Sequence, residues 1–227
     1  MPSLLEALQD QLSGSVVEGM SRQIGADERV TGQAISALVP TLIGALANNS
    51  QNENGAASLH SALERDHDGS LLEQISSIFG SKDASPQGTD DFLQKLEKQN
   101  RRAANSSGIL GHVLGGNQES VHRGMGEALG LNGKQIGQLL AMLAPMVMGS
   151  LGKMQRQEKM QSRDLSDLLR REREDIRYNM PDASAKSYDN ILDSNKDGKV
   201  DMKDDVAKVG MALGAALLLS RARPKRA

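Results

Sequence analysis

The chain has no cysteine and no tryptophan, and only four aromatic residues in 227: Phe79, Phe92, Tyr178 and Tyr188. Without cysteine there can be no disulfide framework, thiolate-held zinc, iron–sulfur cluster or thiol nucleophile. Four aromatics give no platform for stacking single-stranded bases or caging a cation. Charge of one sign is missing too. With 27 basic against 29 acidic residues, there is no case for bulk nucleic-acid binding. The longest apolar run, 209–219, is 11 residues, where a membrane-spanning helix needs about 20. Residues 1–10 lack a basic stretch followed by an apolar run, so no secretory signal is recognised. The expectation from these absences is a soluble, cytoplasmic protein.

What is present is aliphatic. The core has to come from Leu, Ile, Val, Ala and the 11 methionines, with 23 glycines shaping the contacts. The strongest organisational signal is self-similarity. Shifting the chain by 105 residues lays 16–46 on 121–151 with ten identities: Val16/Val121, Gly19/Gly124, Met20/Met125, Gly25/Gly130, Gly32/Gly137, Gln33/Gln138, Leu38/Leu143, Pro40/Pro145, Gly44/Gly149 and Leu46/Leu151. One further residue of shift brings Leu59 and Leu63 onto Leu165 and Leu169. We read this as two copies of one helical unit in a pseudo-twofold arrangement, each too small to bury its apolar face alone.

The repeat reads as helix, turn, helix. A short helix over 16–24 ends at Gly25, suited to a left-handed cap, and Asp27 is placed to cap the next helix. Val30, Ala34, Ala37, Leu38 and Leu42 follow helical spacing, as do Ile136, Leu139, Leu140, Leu143 and Val147 in the second copy. Pro40 and Pro145 fall inside these stretches. Each removes an amide donor and crowds the preceding turn, which predicts a kink or restart. Gly44 and Gly149 come one turn later, as packing sites or as the floor of a hinge or ligand cleft. Residues 59–63 and 71–78 read as short helices, 81–90 as a linker, and 92–102 as a charged helix. Residues 154–177 carry alternating charge around a narrow stripe of Leu165, Leu168, Leu169 and Ile176. Such a pattern is a solvated helix face or a docking face for a partner helix. The implied division is 1–80 as unit one, 81–107 as linker and charged helix, 108–180 as unit two, and 181–227 as a loop with a terminal helix.

One segment, 193–204, carries recognisable site chemistry. Asp193, Asn195, Asp197, Asp201 and Asp204 stand at positions 1, 3, 5, 9 and 12 of a twelve-residue loop, with Gly198 at position 6 and the carbonyl of Lys199 at position 7. Calcium takes six to eight hard oxygens in this wrapped geometry. The segment resembles an EF-hand loop, more closely the dockerin-type variant with Asp in the last position, and implies Ca²⁺ as a ligand. Asp204 is shorter than the usual bidentate Glu, and Asp205 follows where an apolar residue is normal. The competing reading is a turn whose side chains cap backbone amides. A weaker echo is formed by Glu64, Asp66, Asp68, Gly69 and Glu73. There the alternative is a turn in which Ser70 and Glu73 make a capping box. His60, His67, His112 and His122 have no metal-ligand spacing, and the glycine-rich segments carry no phosphate-binding fingerprint. In 206–219, Val206, Val209, Leu213 and Leu217 share a helical face, and Arg221, Arg223, Lys225 and Arg226 follow. That tail is a packed terminal helix or a membrane-surface or partner-binding element.

The blocks Ala-Leu-Val-Pro-Thr-Leu-Ile-Gly-Ala-Leu at 37–46, Asp-His-Asp-Gly-Ser-Leu-Leu-Glu at 66–73, Gly-Ile-Leu-Gly-His at 108–112 and Leu-Leu-Ala-Met-Leu-Ala-Pro-Met-Val-Met-Gly at 139–149 resemble the bacterial domain-of-unknown-function family 937, akin to YidB-like proteins. The resemblance covers residues 1–175. It implies a small helical bacterial domain and supplies no catalytic residue. Together these readings predict an all-α protein with no enzymatic activity, a binding or assembly module tuned by calcium. Self-association or an unidentified protein partner is expected, and nucleic acid is not. The alternatives are a protein held at the envelope or membrane surface by its C-terminal helix, and a hydrolase with a dockerin-like tail.

Overall fold

A computed structural model describes residues 3–12, 14–66 and 130–179, and the statements below concern these residues. They form six helices and no strand: α1 (Leu4–Gln11), α2 (Gly14–Ile24), α3 (Glu28–Asn49), α4 (Glu53–Asp66), α5 (Gly133–Glu158) and α6 (Ser162–Asn179). The all-α expectation is met.

Local sequence sets the helix ends. α2 stops at Gly25, whose φ of 65° is open to glycine at little cost. Asp27 then caps α3 by accepting from the Arg29 and Val30 amides. The same pair of devices recurs 105 residues later. Gly130 has a φ of 69°, and Asn132 opens α5 in a capping box with Gln135.

Of the kink or restart expected at the prolines, the restart does not occur. α3 runs unbroken through Pro40 and α5 through Pro145. The carbonyls deprived of a donor belong to Ser36, which is exposed, and Ala141, which is half-buried. Water can therefore reach the groups that the ring leaves unpaired. At Pro40 the next turn is also braced, because the buried Thr41 hydroxyl donates to the Ala37 carbonyl at 2.9 Å.

α3 and α5 form the centre. They pack on each other, and from Leu38 to Leu46 and from Met142 to Leu151 every residue is buried. The core contains Leu38, Leu42, Ile43, Ile136, Leu139 and Leu143, all fully enclosed, and no aromatic side chain. Of the four aromatics only Tyr178 is described, and it stands 89% exposed. By length and composition α3 and α5 could each cross a membrane, but 78% of each apolar window is buried inside the protein. Counting uninterrupted apolar runs misses both helices, because Pro40 and Thr41 interrupt α3 and Pro145 and Ser150 interrupt α5.

The flanking helices exchange places. α4, which follows α3 in sequence, packs on α5, and α6, which follows α5, packs on α3; α4 and α6 also meet. Leu63 on α4 and Leu169 on α6 are both fully buried. α1 and α2 cover further faces of the central pair. α4 can begin so close to the end of α3 because residue 55 is glycine. A Cβ at Gly55 would overlap the Asn49 carbonyl oxygen.

The segment 154–177, read as a solvated helix face or a docking face, is divided between two helices. α5 ends at Glu158, Lys159 takes a left-handed φ of 52°, and α6 begins at Ser162. The stripe on α6 is neither solvated nor reserved for another chain. Leu165, Leu169 and Ile176 are buried and Leu168 is half-buried, against α3 and α4 of the same protein.

Candidate functional site

Two polar arrangements emerge from this packing. The first is a set of clamps made by α6. Glu172 lies four residues before Ile176 and three after Leu169, so helical periodicity places an acid on the apolar stripe. It is 5% exposed. Its carboxylate accepts from the Leu4 amide at 2.7 Å and the Leu5 amide at 3.3 Å. These are two of the amides that a helix start leaves without intrahelical partners. Ser3 takes the next, from Glu6, so the first turn of α1 is completed by a side chain 168 residues away. Burial pushes the Glu172 carboxyl above its ordinary range. The two backbone amides oppose that shift, and Asp175 and Glu6 add to it.

One residue on, the Arg173 guanidinium donates to Asn48 Oδ1 at 2.7 Å, and Gln51 Nε2 donates to the same oxygen at 2.8 Å. The Ser166 hydroxyl donates to the Ser50 carbonyl at 2.8 Å. α6 is thus fixed in register against the end of α3. On α5, Gln135 Nε2 reaches the carbonyls of Ile24 at 3.1 Å and Gly25 at 3.4 Å, tying its N-terminus to the end of α2. The contact between Arg163 and Glu53 at 3.2 Å is exposed and adds little to stability.

The second arrangement is an open recess of about 340 Å³ where α4 meets the turn between α5 and α6. His60 and Glu64 face it from α4, and Gln155, Arg156, Lys159 and Met160 from the end of α5 and the turn. His60 Nε2 lies 3.1 Å from the Met160 carbonyl. A carbonyl only accepts, so Nε2 carries the proton and Nδ1 of the neutral ring is an acceptor. Nδ1 is 3.6 Å from the Glu64 carboxylate. Gln155 is 4% exposed, and its Oε1 is buried with no hydrogen-bond partner.

The sequence did not single out Glu172 or Gln155. In both cases the signal was a polar residue at a stripe position, Gln155 following Leu151 by four and Glu172 following Leu169 by three. The expected calcium ligands Asp193, Asn195, Asp197, Lys199, Asp201 and Asp204 lie outside the described residues. So do Asp68 to Glu73 of the weaker loop and the basic tail after 206. α4 remains helical through Asp66, so Glu64 and Asp66 stand on a helix. Among the described residues no three His, Asp or Glu side chains group to hold a metal.

No curated protein and no solved structure matches the chain. Residues 6–154 match the family described as Bacterial protein of unknown function (DUF937). This stretch contains the central pair of helices and covers about two thirds of the chain, so the protein belongs to the DUF937 family.

Proposed function

We propose that the protein is a non-enzymatic helical binding or assembly module, cytoplasmic and YidB-like, built from two duplicated units and tuned by calcium at the 193–204 loop. The observation that carries the reading is where the inward-facing polar chemistry goes. Glu172, Arg173, Ser166 and Gln135 each bond a backbone or amide group of another helix. Polar groups used this way hold helices in place and do not converge on a reacting atom. The matched halves support the duplication. Gly25 and Gly130 share a left-handed turn, Asp27 and Asn132 share a capping role, and each unit's trailing helix packs on the other unit's central helix. A unit that lends its trailing helix to its neighbour cannot complete its own core alone.

Calcium regulation is supported by the oxygen donors Asp193, Asn195, Asp197, Asp201 and Asp204 around Gly198. Calorimetric titration of metal-stripped protein should give Ca²⁺ binding with an affinity between roughly micromolar and millimolar, and Asp193→Ala with Asp197→Ala should abolish it. Light scattering with and without Ca²⁺ should then show a change in assembly. Absence of heat at millimolar Ca²⁺ overturns the calcium reading, and an unchanged mass across a concentration series overturns self-assembly. A second reading, attachment to a membrane surface, is favoured by the amphipathic 206–219 face and the four basic residues after it. Co-sedimentation with anionic vesicles that deletion of 206–227 leaves unchanged would eliminate it.

A further inference from the structure

We propose that the recess between α4 and the α5–α6 turn is a binding site for the zwitterion of a free α-amino acid. Acceptors are among the groups that line this recess. Gln155 Oε1 is buried without a partner. In the neutral ring His60 Nδ1 is an acceptor, because Nε2 then donates to the Met160 carbonyl. The Glu64 carboxylate stands 3.6 Å from His60 Nδ1. The group that relieves such a cluster is a compact donor with several N–H bonds, and an ammonium offers three.

The rim has the opposite sign. Lys159 and Arg156 line the opening, which suits a carboxylate carried by the same ligand. Lys159 is held at this point against its backbone preference. Its φ of 52° makes it the only non-glycine residue with positive φ among the described residues, while the two other such positions are Gly25 and Gly130. Glycine would end α5 with less strain, and it would carry no charge to the rim. The volume of about 340 Å³ is near the lower end of ligand sites, which suits one small molecule. Among the described residues, His60 and Glu64 are not joined by a third metal-binding side chain. The Gln155 terminal amide rotates about a soft, roughly two-fold torsion, so its oxygen can turn to the ligand without movement of α5.

The test is ligand-observed saturation-transfer NMR on the full chain, with L-alanine as probe and acetate and methylammonium as its two halves. L-alanine is expected to bind with roughly millimolar affinity, as befits six heavy atoms, and methylammonium more weakly. Gln155→Leu should weaken L-alanine binding by about tenfold or more, and Gln155→Glu should preserve it, because the new side chain is still an acceptor. Lys159→Gly, which suits the backbone, should weaken L-alanine and leave methylammonium unchanged. It serves as the second variant should Gln155→Leu fail to fold. The proposal is overturned by absence of saturation transfer to L-alanine with the wild-type protein. It is equally overturned by L-alanine binding that both Gln155→Leu and Lys159→Gly leave intact, or by acetate binding as well as L-alanine does.

Discussion

Glu172 offers the sharpest test of how the helices are held. Replacing it with alanine strands the Leu4 amide, which is buried, and the Leu5 amide, which is less enclosed. A buried donor without a partner costs about 1–3 kcal/mol. The Leu5 bond is long at 3.3 Å and contributes the smaller share. Against this, the variant no longer buries a charge, which returns part of the loss. The expected net effect of Glu172→Ala is a destabilisation of about 2 kcal/mol, read as a lower urea midpoint at unchanged slope. Protection of the Leu4 and Leu5 amides from hydrogen exchange should fall further than that of α3. Glu172→Gln keeps one acceptor and sheds the charge, so it should stay within about 1 kcal/mol of wild type at neutral pH.

The pH dependence follows from the raised carboxyl. An acid whose folded-state pKa lies above its unfolded value contributes stability that is fully present below the unfolded value. That contribution is lost as pH rises through the folded one. Wild type should therefore lose stability relative to Glu172→Gln as pH climbs from the ordinary glutamate range through the raised value. Burial is the largest cause of the shift, so the trend should persist in moderate salt. A Glu172→Ala variant as stable as wild type would refute the capping argument. A wild-type advantage over Glu172→Gln that grows with pH in this window would refute the account of the shift.

Four further outcomes follow from the packing. Gly55→Ala places a Cβ against the Asn49 carbonyl oxygen, and thermal unfolding should show a loss of about 2 kcal/mol or more. Gly25→Ala meets no atom within 4 Å, so its cost should be only the backbone strain of about 1–2 kcal/mol. Comparing these two variants separates overlap from strain. Lys159→Gly should raise the unfolding free energy by up to about 1 kcal/mol, because it relieves a left-handed lysine. Leu143→Ala opens a cavity where α3 and α5 meet and should cost about 2–5 kcal/mol; a much smaller loss in denaturant titration would mean that the central pair is loosely packed.

Much of the architecture was legible because it depends on contacts between near neighbours in sequence. Gly25 with Asp27 announces a helix stop and a helix start within three residues. The spacing of Leu38 and Leu42, or of Leu139 and Leu143, marks buried faces for the same reason. The continuity of α3 and α5 through proline was not legible. It depends on the carbonyls that the ring deprives facing the less buried side, and that orientation is set only when the helices pack. The recess and the clamps were hidden for a related reason. Glu172 and Leu4 are 168 residues apart, and His60 and Met160 are 100 apart, so no local pattern pairs them.

By itself, then, the sequence determined an aliphatic, all-α protein, and it did so through composition, capping residues and periodicity. Those signals act over a few residues and hold in any fold. The tertiary structure alone decided that α4 packs on α5 and α6 on α3. It also decided that an acid on an apolar stripe completes a distant helix start and that Gln155 Oε1 is buried without a partner. The meaning of a buried polar side chain depends on what the fold brings to its end, and that is fixed only when helices distant in sequence have docked.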